Sequence, residues 1–157
     1  MLVKEVMSRN VVTVTRDETL TELIGKFRKY NFHTLPVIDE DRRLIGIVTP
    51  ENIMKVFLPH NPLLDKMLKT THLSDREEED ILEIDLPEAR GRTVKVSDIM
   101  NNNVVTIGED ETIADARRIM KLHRIERVPV TANETLIGFI TLFDIIVALF
   151  RERNIIP

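Results

Sequence analysis

The chain has 157 residues, 43% of them hydrophobic and 31% charged, enough for one compact module or for two half-modules sharing a core. A net charge of −4 argues against a general nucleic-acid surface, and the absence of cysteine excludes disulfides, thiolate metal sites and a cysteine nucleophile. The longest apolar run, Ile145–Phe150, is far short of the ~18 residues that span a bilayer. Met1-Leu2-Val3 opens without a secretory or transit pattern, so a cytoplasmic protein with no membrane partner is expected.

Taken in chain order, the elements come twice. A helical turn at Val3-Lys4-Glu5-Val6-Met7 returns at Val96-Ser97-Asp98-Ile99-Met100, an offset of 93. Next come β-branched runs bounded by Asn and by charge, Val11–Val14 and Val104–Ile107, which predict short strands. Thr19-x-x-Glu22 is a capping box opening a helix whose apolar positions Leu20, Leu23, Ile24 and Phe27 share one face. Thr112 does the same in the second copy, with Ile113, Ala116 and Met120 expected to face inward.

The runs Leu35-Pro36-Val37-Ile38 and Val128-Pro129-Val130 predict second strands, with proline suggesting an edge or a first position. Polar turns at 39–42 and 132–135 shorten the offset to 92. They lead to Leu44-Ile45-Gly46-Ile47-Val48 and Leu136-Ile137-Gly138-Phe139-Ile140, apolar enough to be covered on both faces. Thr49 and Thr141 then cap the last helices, Pro50 suiting a first helical position. The run Ile145–Phe150 is apolar on every side of its helix. One face is expected to pack within the module and the other to be covered by dimerisation through these helices, or else by the connector. The division expected is 1–58, a connector 59–94 and 95–157. The connector holds a short amphipathic helix at Leu63–Leu68 and too many aliphatic residues for a flexible tether. A period this long, occurring twice, argues for two copies of a small domain and against a solenoid.

The opening turns, the strands Val11–Val14 and Val104–Ile107 with their Asp-x-Thr followers, the Leu35-Pro36-Val37 and Val128-Pro129-Val130 strands, and Gly46-Ile47-Val48-Thr49 with Gly138-Phe139-Ile140-Thr141 together resemble the CBS (cystathionine-β-synthase-type) domain family, present as a tandem pair. The resemblance covers about three-quarters of the chain. It implies an α/β (α+β) fold of two β-α-β-β-α units related by pseudo-twofold symmetry and packed through their sheets. It also implies a homodimeric disc, and clefts that take AMP, ADP, ATP or S-adenosylmethionine as regulatory ligands. By the same resemblance Asp144, three residues after Thr141, would accept the ribose hydroxyls, Val11, Val12 and Thr13 would line that cleft, and Arg127 would meet phosphate. An ionised carboxylate can accept from both hydroxyls of a diol.

The first copy departs from this pattern. Asn52 stands where Asp144 stands, and His33-Thr34 where Glu126-Arg127 stand. His33 is a candidate ligand contact or a plain surface residue. One competent cleft and one altered cleft, lined by Val104, Val105 and Thr106 near Asn52, are expected. Without the resemblance, Thr141-x-x-Asp144 reads simply as a helix cap, and both roles can hold together. Arg90, Arg92 and Lys95 would reach a ligand if the connector folds over a cleft, but read first as solvated charge.

Catalysis is not expected. There is no P-loop, Gly-x-Ser-x-Gly, His-Glu-x-x-His or dinucleotide fingerprint, and the four histidines lack ligand spacing. Asp75 and Glu77–Asp80 read as a solvated acidic face, so no metal site is expected. The competing reading is a structural dimerisation module with vestigial clefts. Either way an unidentified target protein would receive the signal.

Overall fold

The computed structural model describes residues 1–31, 33–57 and 92–157, with Val56 and Phe57 described by backbone alone. The expected helix at Leu63–Leu68, the acidic stretch Arg76–Asp80 and Arg90 lie outside the described residues.

Within them the order is α1 (Val3–Val6), β1 (Val14–Thr15), α2 (Leu20–Tyr30), β2 (Leu35–Ile38), β3 (Leu44–Val48) and α3 (Pro50–Phe57). It then repeats as α4 (Val96–Ile99), β4 (Ile107–Gly108), α5 (Ile113–His123), β5 (Arg127–Ala132), β6 (Thr135–Thr141) and α6 (Leu142–Glu152). The chain is a mixed α/β protein, its described residues forming two three-stranded sheets ordered β1-β2-β3 and β4-β5-β6. The capping boxes form as the sequence predicts: the Glu22 amide donates to Thr19 Oγ1 at 3.3 Å, and the Asp115 amide to Thr112 Oγ1 at 3.1 Å. Leu20, Leu23, Ala116 and Met120 are buried and Ile113 is half-buried, whereas Ile24, expected inward, is 41% exposed.

Two expectations about the strands change. The first strands begin three residues later than the β-branched runs predict, at Val14 and Ile107, leaving Val11–Thr13 and Val104–Thr106 outside the ladder. The cause lies on the neighbouring strand. β1 pairs parallel with β2 through Val14↔Val37, and β4 with β5 through Ile107↔Val130. One step back along each ladder stands Pro36 or Pro129, which has no N–H to donate. Those prolines do not lie on edge strands either. β2 and β5 are the central strands, and proline is accommodated there because the parallel partner has not yet begun.

The described residues cluster into two compact units that cut across the repeats. The first (Met1–Thr15, Leu35–Ile47, Asn101–Pro157) contains both sheets as far as Ile47, together with α1, α5 and α6. Its core joins Val3 and Met7 to Ile107, Ala116, Met120, Val128, Val130, Ile140 and Ile145. The opening helix of the first repeat therefore completes the core of the second. Ser8 and Phe139 exchange backbone hydrogen bonds at 2.8 and 2.9 Å, the Val3 amide donates to Glu111 O at 2.8 Å, and Lys4 Nζ lies 2.7 Å from Asp110 Oδ1. The two β-hairpins of this unit also meet, the Leu44 amide donating to Glu134 O at 3.1 Å and the Leu136 amide to Arg42 O at 3.0 Å.

The second unit (Arg16–Thr34, Val48–Met100) contains α2, α3 and α4 and shows the reciprocal exchange. The Leu20 amide donates to Val94 O, and the amides of Val96 and Ser97 donate to the carbonyls of Glu18 and Arg16, all at 2.9–3.0 Å. The opening turn of the second repeat is thus bound to the capping region of the first.

α6 divides into two faces. Ile145 is buried, but Ile146 is 41% exposed, Leu149 38%, Phe150 43% and Phe143 70%. One face meets the core, and the other is left exposed among the described residues.

Candidate functional site

Thr141 ends β6 and caps α6, which sets the position of Asp144. The Asp144 amide donates to Thr141 Oγ1 at 3.1 Å, while Asp144 Oδ2 accepts from the Thr141 amide at 2.8 Å and from its hydroxyl at 2.7 Å. One carboxylate oxygen is thereby fixed at the first turn of α6. The Leu142 amide donates to Glu126 O at 2.8 Å, tying the start of α6 to the start of β5.

The next residue, Arg127, opens β5 and faces Thr141 across the ladder. Side chains alternate along β5 and β6, so Val128, Val130 and Ile140 turn to the helical core while Arg127, Phe139 and Thr141 share the opposite face. On that face Arg127 Cζ lies 4.2 Å from the centre of the Phe139 ring, a cation–π contact with a ring that is only 1% exposed. Burial draws the Arg127 pKa below its ordinary value, and the negative charge of Asp144 draws it back up. Arg127, Thr141 and Asp144, each a candidate from the sequence, are thus brought together in one unit. Phe139 belongs with them, although along the sequence it stands only as part of a covered apolar strand. The signal that sets it apart is its contrast with aliphatic Ile47 in the other repeat.

The first repeat builds the same cap from neutral parts. Asn52 Oδ1 accepts from the Thr49 amide at 2.8 Å and from its hydroxyl at 3.0 Å, and the Asn52 amide lies 3.4 Å from Thr49 Oγ1. Capping therefore explains both Asp144 and Asn52 as structure. The carboxylate is what the cap does not require. His33 is exposed and, like Asn52, belongs to the second compact unit.

Val11, Val12 and Thr13 are half-buried and follow Ser8, whose backbone is pinned to Phe139, two residues before Thr141. Two grooves open in the first unit. One, of about 600 Å³, runs between α1 and α6 and is bordered by Glu5, Val6, Phe143, Asp144, Val147 and Arg151. The other, of about 450 Å³, is lined by Asp39, Arg43, Ile45, Thr106, Thr131 and Glu134. Lys95 Nζ lies 3.8 Å from Asp17 Oδ1. Among the described residues no group of three or more His, Asp or Glu side chains is placed to hold a metal, and no helix is long and apolar enough to cross a membrane.

Comparison with known proteins agrees with this architecture. The model of the CBS domain matches twice, at residues 3–59 and 96–151. An uncharacterised protein of Methanocaldococcus jannaschii is 32% identical over 95% of this chain and 91% of its own length. Among solved structures, the CBS domain pair of protein MJ0100, crystallised with 5′-methylthioadenosine and S-adenosyl-L-methionine, is 25% identical, with a TM-score of 0.63 over 98% of both chains. CBSX2, crystallised with AMP, shares the fold at 19% identity, with a TM-score of 0.69 over 97% of this chain and 98% of its own. The repeats, the paired sheets and the two family matches make this chain a tandem member of the CBS domain family.

Proposed function

We propose that the protein is a regulatory module, not an enzyme, that binds an adenosine-containing ligand (AMP, ADP, ATP or S-adenosylmethionine) in a cleft between its repeats 1–58 and 95–157. The observation that carries the reading is a fixed carboxylate, Asp144 in the first turn of α6, beside a guanidinium, Arg127, that rests on a ring and faces the capping Thr141 across the ladder. The carboxylate can accept a ribose diol and the guanidinium can bind phosphate as a planar fork. Val11, Val12 and Thr13 supply the adenine wall and Thr141 the cap. His33 and Asn52 belong to a weaker second site. The adenosine compounds bound by the MJ0100 domain pair support the ligand class.

A bound ligand shifts the module between two arrangements only by its difference in affinity for them, typically ~1–3 kcal/mol, and a target protein reads the result. The module is proposed to act in the cytoplasm as a homodimer, with the connector 59–94 between its repeats. The exposed apolar face of α6 (Phe143, Ile146, Leu149, Phe150) favours, as a second reading, a module whose main task is dimerisation.

Calorimetric titration with the four ligands tests the proposal. A ligand at one hundred times its dissociation constant adds ~2.7 kcal/mol of stability, which raises Tm by roughly 5–10 °C for a chain of this size. Asp144→Ala is expected to abolish the shift and Asn52→Ala to leave most of it. Absence of binding by all four ligands refutes the reading in favour of the dimerisation module.

A further inference from the structure

The Arg127 guanidinium is not held by its own strand alone. It lies on the Phe139 ring, diagonally across the β5–β6 ladder, on the face that also presents Thr141. Phe139 is itself held on both sides of its backbone and buried. It is 1% exposed, and its backbone N–H and C=O are both bonded to Ser8. A guanidinium resting over a buried ring loses fewer rotamers when it meets an anion than one on a solvated stem. At the corresponding positions the first repeat has Thr34, Ile47 and Asn52, with no cation, no ring and no carboxylate.

We propose that Phe139 is a positioning residue that presents Arg127 as an anion reader, so that the Asp144 site selects a nucleoside carrying a 5′-phosphate over neutral or sulfonium adenosine compounds. The inference rests on the adenosine-ligand reading above and narrows it. Each member of the ligand class meets this pair of charges differently. A sulfonium is repelled by the guanidinium, and a thioether offers it no strong acceptor. A bare phosphate meets Arg127 but is repelled by Asp144, which calls for hydroxyl donors. Only a ligand with a diol at one end and an anion at the other satisfies both groups. Making or losing one charge-assisted hydrogen bond changes affinity by about tenfold or more.

The test is titration of the full chain with AMP, 5′-methylthioadenosine, S-adenosylmethionine and inorganic phosphate, repeated on Phe139→Leu and Arg127→Met. The wild-type chain is expected to bind AMP about tenfold or more tighter than 5′-methylthioadenosine, and inorganic phosphate weakest of all. Phe139→Leu should weaken AMP about tenfold while leaving 5′-methylthioadenosine within about threefold, a pattern that mere loss of core packing would not produce. Because Phe139 is buried, Arg127→Met supplies the same comparison at a half-buried position, and it should remove the preference for AMP altogether. If 5′-methylthioadenosine or S-adenosylmethionine binds the wild type as tightly as AMP, or if both variants keep the AMP preference, the selectivity is refuted while the adenosine reading stands. If none of the nucleosides binds, both fall.

Discussion

Gly138→Ala offers the sharpest test of the exchange between repeats. A Cβ built on Gly138 would lie 2.7 Å from the backbone oxygen of Ser8 and 2.9 Å from Met7 Sδ. Met7 could in part rotate away, but the Ser8 carbonyl cannot, because it accepts from the Phe139 amide at 2.9 Å while the Ser8 amide donates to Phe139 O at 2.8 Å. Relief requires α1 to move off β6, with strain of ~1–3 kcal/mol and weakening of one or both bridging hydrogen bonds at ~0.5–1.5 kcal/mol each. Against this stands a gain of ~0.4–1 kcal/mol from the stiffer unfolded chain. The net expectation is a loss of about 2 kcal/mol, a fall in Tm of roughly 4–8 °C. Gly25 is the control, since a Cβ there meets nothing within 4 Å and the residue lies inside α2. Gly25→Ala should therefore stabilise by about 0.5–1 kcal/mol. Urea denaturation of both variants, with amide exchange at Ser8, measures the contrast. A neutral or stabilised Gly138→Ala would show that α1 does not dock on β6 as described.

Three further outcomes follow from the same geometry. Thr141→Ala removes the acceptor of the Asp144 amide and should cost ~1 kcal/mol in urea denaturation, and Thr112→Ala about as much, because the two caps are built alike. Arg124 closes α5 at φ 55°, a left-handed conformation that glycine adopts without penalty, so Arg124→Gly should leave stability unchanged or raise it by up to ~1 kcal/mol despite the flexibility it adds. Asp144→Asn recreates the neutral cap of the first repeat. It should keep the fold within ~1 kcal/mol while weakening AMP about fivefold to tenfold in calorimetric titration, and full retention of AMP affinity would remove Asp144 from the site.

Much of this protein is written in interactions between near neighbours, and those the sequence settles by itself. The duplication, the caps at Thr19, Thr112 and Thr141, and the helices they open depend on groups three or four residues apart. Pairing of Asp144 with its threonine is equally local, which is why it could be named from sequence. The late start of β1 and β4 could not, because it is decided by prolines twenty-odd residues away on the adjacent strand. The same is true of α1, whose few residues carry no periodic signal of where they dock. Only the folded chain shows Val3 and Met7 completing the core of the other repeat and requiring a glycine at 138. The Arg127–Phe139 contact belongs to the same class. It depends on the β5–β6 register, which places a charge diagonally across from a ring, and an apolar run read along its own strand cannot disclose what lies beside it.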